Sequence, residues 1–292
     1  MIGTVGDLVE DVVVRLGGPV NVASDTDAVV VRRRGGSAAN FACNVVRAGS
    51  RARFIGQVGD DPQGSQLLAA LAAEGVEPAV RRRGRTGTIV VLVDAAGERT
   101  MLSDRGAAID LDRPDRAWLD GLDTLHVPLY SLIGGALAAT STTLIGWAHE
   151  RGIRVSIAAS SSAVIAAHGR CASRMLLTSL RPDVLLCNEL EASTLGGPGG
   201  LAAVGAGLTI VKQGADDCLV NERARGTDVI AVPALRLADV RDTTGAGDAF
   251  AAGLLVALAG GAPAVDAVRR GHEVAAAAIR RVSTDAETAA AT

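Results

Sequence analysis

The stretch Asp242-Thr243-Thr244-Gly245-Ala246-Gly247-Asp248-Ala249-Phe250 decides how this chain is read, because a glycine-flanked turn opens directly into an apolar segment. The run 249–258, AFAAGLLVAL, predicts a buried helix. The amides of Gly245, Ala246 and Gly247 would then point out of its N-terminus, where unpaired N–H groups and the helix dipole favour an anion. Glycine lets a phosphate approach the backbone, and Asp248 in the first turn can accept a proton from an attacking hydroxyl. The alternative is an ordinary Asp cap on a glycine-started helix, and GAGD taken alone does not separate the two.

Working outward, short apolar strands are predicted at 53–58, 124–127, 154–157, 184–187 and 208–211. Helices fall between them: Asp61-Pro62 starts one that places Leu67, Leu68 and Leu71 on one face, and others are expected over 136–151 and 265–281. This alternation implies a mostly parallel sheet covered by helices on both faces. Four β-rich segments, 11–16, 28–34, 86–93 and 99–103, break the rhythm, the last two joined by a hairpin turn at Asp94-Ala95-Ala96-Gly97. They predict a second, flatter sheet assembled from separate pieces, while Gly196 to Gly200 (GGPGG) reads as a loop.

The nine-residue string resembles the C-terminal signature of the ribokinase/PfkB family of carbohydrate kinases. Gly35-Gly36-Ser37-Ala38-Ala39-Asn40-Phe41-Ala42, followed by Phe54-Ile55-Gly56-Gln57-Val58-Gly59-Asp60-Asp61-Pro62-Gln63-Gly64, looks like the first signature of that family. Gly3-Thr4-Val5-Gly6-Asp7 looks like its opening strand, Asn188-Glu189-Leu190-Glu191 like its Asn-x-x-Glu motif, and Val211-Lys212-Gln213-Gly214 like its nucleotide-side strand end. The resemblance implies a ribokinase-like three-layer α/β/α fold over 1–292 as a single kinase domain, with a small β-sheet lid built from about 11–34 and 86–104. It implies ATP-dependent phosphorylation of a primary hydroxyl of a small sugar or sugar derivative, with ATP and Mg2+ as cofactors.

Roles follow residue by residue. Asp248 is the candidate base, and Gly245, Ala246 and Gly247 the candidate anion hole for the transferred phosphoryl group. Asp7 can accept hydrogen bonds from two vicinal hydroxyls, Asn40 offers both donor and acceptor, and Gly36 lets a sugar lie against the backbone. Arg105 suits a carboxylate or phosphate on the acceptor, or else the surface. Lys212 and Gly214 are candidates for the nucleotide side, with Asn188 and Thr243. Asn188 and Glu191 suit an outer-shell magnesium site, or simply cap a helix. In some members of the family a monovalent cation such as K+ is bound near the residues matching Asp242 and Thr243, but the segment 280–285 departs from the pattern that completes such a site.

Composition narrows the field further. Hydrophobic residues make up 48% and charged ones 21% of 292 residues, enough for a core and wrong for disorder. A net charge of -3 gives no global drive toward nucleic acid or an anionic membrane surface. Of 29 basic residues only Lys212 is lysine, so the triplets Arg32-Arg33-Arg34 and Arg81-Arg82-Arg83 are read as solvated surface in an arginine-biased chain. Cys43, Cys171, Cys187 and Cys218 show no C-x-x-C spacing and are expected to be reduced core residues. No signal peptide or bilayer-length apolar run is found, so a cytoplasmic location is expected. Open edges on a lid sheet offer a route to a homodimer.

Two other enzyme classes lack their signatures. No G-x-G-x-x-G follows the first strand, against a dinucleotide-dependent oxidoreductase, and no G-x-x-x-x-G-K-[ST] occurs, against a P-loop kinase. A nucleoside kinase of the same family is the nearest rival, weakened by three Phe, two Trp and one Tyr for stacking a base. A non-catalytic sugar-binding regulator is disfavoured by the intact Asp248.

Overall fold

The computed structural model describes residues 1–94, 97–226, 228–238, 240 and 243–291, with the backbone alone over 282–291. The N-terminal half runs β1 (Ile2–Val5), β2 (Val9–Leu16), β3 (Ala28–Gly35), α1 (Ser37–Arg47), β4 (Ala52–Val58), α2 (Pro62–Ala73), β5 (Glu77–Arg82), β6 (Thr86–Val93), β7 (Arg99–Gly106) and β8 (Thr124–Pro128). It continues through α3 (Gly135–Glu150), β9 (Arg154–Ala158), α4 (Ser162–His168), α5 (Arg170–Leu180), β10 (Val184–Asn188), α6 (Glu189–Thr194), α7 (Gly197–Val204), β11 (Leu208–Lys212), β12 (Cys218–Glu222), β13 (Val229–Val232), α8 (Ala246–Ala259) and α9 (Ala264–Ala291).

Among the described residues the large sheet has the order β13-β12-β11-β10-β9-β8-β1-β4-β5. From β11 to β5 every pairing is parallel, and only the β11–β12 and β12–β13 pairings at one edge are antiparallel. Successive strand residues alternate between two cores, which is what period-2 geometry requires of a sheet buried on both faces. Phe54 and Leu186 enter the core under α1, α8 and α9, whereas their neighbours Ile55 and Leu185 enter the core under α3 and α5. Full burial of each such side chain contributes roughly 1.5–3 kcal/mol. The result is the three-layer arrangement that the alternation of strands and helices predicts.

The second sheet has the order β3-β2-β6-β7, with β2 parallel to β6 and the other pairs antiparallel. It joins the main layer at Gly35-Gly36, where β3 gives way to α1. The hairpin expected at residues 94–97 connects β6 and β7, although Ala95 and Ala96 lie outside the described residues.

Two sequence expectations are corrected. GGPGG is not a loop throughout: α7 begins at Gly197, since Pro198 has a φ suited to the first helical turn and Leu201 and Val204 anchor that helix in the core. Cys43, Cys187 and Cys218 are buried as expected, but Cys171 is exposed on α5, and all four are free thiols. Among the described residues, no helix is long and apolar enough to cross a membrane.

Candidate active site

The carboxyl ends of β1, β8 and β11 converge on the N-termini of α1 and α8. Asp7 follows β1, Tyr130 follows β8 in a short 3-10 turn (Leu129–Leu132), and Lys212 ends β11. Ligands of open α/β sheets collect at this end of the strands.

At the mouth of α8, Gly245 has φ 74, a left-handed conformation that favours glycine. The first internal bond of the helix runs from the Ala249 N–H to the Gly245 carbonyl at 2.9 Å, so the amides before it face the mouth. One of them is already used: the Ala246 N–H donates to the Thr243 carbonyl at 3.0 Å, closing the turn. A side chain on Gly247 would bring its Cβ to 3.1 Å from Lys212 Nζ, so the ammonium stands directly beside the turn. Glycine backbone and cation together form a cradle that fits a phosphate.

Asp248 lies in the first turn of this helix, with its carboxyl densely surrounded by protein. Burial pushes its pKa up to about 6, and this outweighs the opposing effects of the Ser37 hydroxyl, Lys212, the Asn40 side chain and Arg34. Ser37 donates to Asp248 Oδ1 at 2.5 Å. Arg34 Nη1 donates to Asn40 Oδ1 at 3.0 Å, so Asn40 is oriented by an arginine that the composition assigned to the surface. The reason is strand geometry: alternate residues of β3 share a face, which separates Arg34 from Arg33.

Arg105 is not a surface residue either. Its Nε and Nη2 donate to Asp7 Oδ2 and Oδ1 at 2.6 and 2.8 Å, and its guanidinium lies over the Tyr130 ring, 5.1 Å from the centroid. Gly36 has a steric reason of its own to be glycine. At φ 98 a Cβ would stand 2.2 Å from the Asp7 carbonyl oxygen, so the tight contact is with the chain itself.

Asn188 and Glu191 form a reciprocal capping box at the start of α6. The Glu191 N–H donates to Asn188 Oδ1 at 2.8 Å, and the Asn188 N–H donates to Glu191 Oε2 at 2.9 Å. Glu191 is buried, and among the described residues no cluster of three or more metal-ligating side chains occurs. A lone carboxylate with spare lone pairs fits water-mediated contact with magnesium, not direct chelation. Gly214 sits in the open turn after β11 with φ 66, and Thr243 supplies the carbonyl that closes the anion turn. Asp242 lies outside the described residues.

Four further residues stand at the candidate site: Ser37, inside the first signature but with no role suggested by its position there, and Arg34, Tyr130 and Arg99, which lie outside the motifs. Arg99, from β7 of the small sheet, donates to the Thr244 hydroxyl in the anion turn. Tyr130 offers a phenol buried at its tip, whose pKa is raised by burial and by the carboxylates of Asp7 and Asp248. As the single tyrosine of the chain, directly after a predicted strand, it carried a signal that motif matching passed over.

The arrangement matches the ribokinase fold of solved kinases. An adenosine kinase from Sinorhizobium meliloti superposes with TM-score 0.83 at 24% identity, covering 94% of this chain and 92% of that one. An apo fructokinase from Vibrio cholerae O395 gives TM-score 0.77 at 26% identity, over 96% and 98% of the two chains. In sequence, a fructokinase from Klebsiella pneumoniae is 30% identical over 257 residues, 82% of this chain and 81% of its own. A 2-dehydro-3-deoxygluconokinase from Dickeya dadantii is 28% identical over 254 residues, 78% and 80% of the two chains. The fold and these likenesses define a phosphotransferase. The chain belongs to the pfkB family of carbohydrate kinases, whose family model matches residues 4–290.

Proposed function

We propose that this kinase uses ATP to phosphorylate a primary hydroxyl of a small sugar or sugar derivative, with Asp248 as general base. The observation that carries this reading is the approach of Asp248, Lys212 and the glycine turn to one another at the mouth of α8. The acceptor hydroxyl gives its proton to Asp248, its oxygen forms the new bond to the terminal phosphorus, and the bond to the bridging oxygen breaks as ADP leaves. Amides of the 245–247 turn and the Lys212 ammonium hold the phosphoryl oxygens. Because the Ala246 N–H is turned back on Thr243, the Gly245 and Gly247 amides carry more of this task. Bound magnesium would neutralise phosphate charge, with Glu191 and Asn188 holding its waters and Asp242 a further candidate. Gly214 and Thr243 border the nucleotide, and the small sheet serves as a lid over the acceptor.

Asp7, Asn40 and Arg105 line the acceptor side, with Gly36 shaping the backbone there. Arg105 is already neutralised by Asp7, so an acidic acceptor would bring a further negative charge beside Asp7 and Asp248. A neutral sugar of the kind named for the fructokinase relatives is therefore favoured over a sugar acid. A nucleoside acceptor is disfavoured by the burial of the three motif phenylalanines: Phe54 and Phe250 are 0% and 3% exposed, and Phe41, 1% exposed, is stacked on His126 at 4.1 Å. None of them is open to a base.

A coupled ADP-release screen over hexoses, pentoses, sugar acids, sugar phosphates and nucleosides tests the reading. Turnover is expected with a neutral ketose or aldose; release only with nucleosides would move the assignment to that class, and none with any acceptor would make the protein a binder.

A further inference from the structure

Asp248 is gripped from a helix other than its own. Ser37 is the first residue of α1, and its hydroxyl reaches Asp248 Oδ1 at 2.5 Å across 211 positions of sequence. The two first turns are brought together by the packing of α1 on α8, through a core that includes Phe41 and Phe250. Gly36 sets the starting point of α1 by its contact with the Asp7 carbonyl, so Ser37 is located by β1 as well.

Each other element packed here also presents a group to this carboxylate. Arg34 comes from β3, Asn40 from α1, Lys212 from β11 and Tyr130 from the turn after β8. Arg34 and Lys212 act on it as charges, and Asn40, whose oxygen is taken by Arg34 at 3.0 Å, turns its amide group toward it. The phenol of Tyr130 has no hydrogen-bond partner of good geometry. Ser37 is the neighbour that donates a short hydroxyl bond to a defined carboxylate oxygen.

A carboxylate swings about a broad, roughly two-fold torsion, so either oxygen could face the acceptor. A charge-assisted bond to one oxygen fixes the plane of the group and with it the direction of the other. We propose that Ser37 is a positioning residue for the base: by holding Oδ1 it aims Oδ2 at the acceptor hydroxyl. The proposal rests on Asp248 being the base. Proton transfer then goes to Oδ2, and no proton leaves Ser37.

Ser37→Ala, Ser37→Thr and Ser37→Ala combined with Asp248→Asn supply the test, measured as kcat, both Michaelis constants and the pH profile of kcat with the acceptor found by the screen. Ser37→Ala is expected to lower kcat about 10- to 100-fold, as for a lost hydrogen bond to a charged group, with both Michaelis constants nearly unchanged. Its acid limb should move to higher pH because the charged carboxylate loses a donor. Ser37→Thr keeps the hydroxyl and should restore both properties. In the Asp248→Asn background, Ser37→Ala should add little further loss, since the two act as one unit. An unmoved acid limb, or an equal loss in both backgrounds, overturns the inference while leaving the base intact. Wild-type turnover in Asp248→Asn would instead overturn the base itself.

Discussion

Arg105 closes a two-point fork on Asp7 from 98 residues away, joining the last strand of the small sheet to the end of the first strand of the large one. Both partners are largely buried, so removing either one strands the other's charge in a poorly solvated place. Asp7→Ala should raise the acceptor Michaelis constant roughly 5- to 150-fold, with the ATP constant little changed. Arg105→Ala should weaken acceptor binding in the same direction and also lower the melting temperature, and Arg105→Lys should not restore either, since an ammonium cannot fork. Equal effects on both substrates would put Asp7 outside the acceptor pocket.

Asp248→Asn is expected to fold and to lose roughly 10²- to 10⁴-fold in turnover, the range for removing a general base. Steady-state ADP release measures this directly. Turnover close to wild type would return Asp248 to the role of a helix cap.

The pH dependence has a definite sign. Burial raises the Asp248 pKa to about 6, above its ordinary value, so Asp248 takes up its proton, and the wild-type rate is expected to fall, as pH drops through that region. A raised acid pKa also means that the folded state binds the proton more tightly than the unfolded chain, and the cost of the buried charge appears as pH rises from about 4 to 6. Asp248→Asn removes that cost. The variant should therefore melt higher than wild type at pH 8, and thermal scans at pH 4 should show the advantage gone.

Gly247→Val places a branched side chain where the Lys212 ammonium stands 3.1 Å from a bare Cβ, and it covers the amides of the turn. Nucleotide affinity and rate should fall together, read by calorimetry with a nonhydrolysable ATP analogue and by turnover. A change confined to thermal stability would mean that the turn only caps its helix.

Glu191→Gln keeps an oxygen that can accept from the Asn188 N–H, so the capping box survives while the negative charge is lost. The magnesium activation midpoint should rise at saturating acceptor, whereas acceptor affinity without nucleotide should not move. An unchanged midpoint would leave Asn188 and Glu191 as a cap alone.

Features whose parts are contiguous can be read from the chain alone. The glycine turn is legible because a left-handed glycine, the helix mouth and Asp248 fall within nine residues, all governed by local backbone geometry. The sheet is legible because period-2 alternation sends Phe54 and Ile55 to opposite faces. Which distant side chains meet is a matter of packing. Ser37 with Asp248, Arg105 with Asp7, and Arg99 with Thr244 are separated by 211, 98 and 145 positions, and no local periodicity encodes those partners. Arg34 looked solvated, because what lies across from it belongs to another element. Hydrogen bonds and steric contacts act over a few ångströms, so packing chose those partners once α1, α8 and the two sheets had come together.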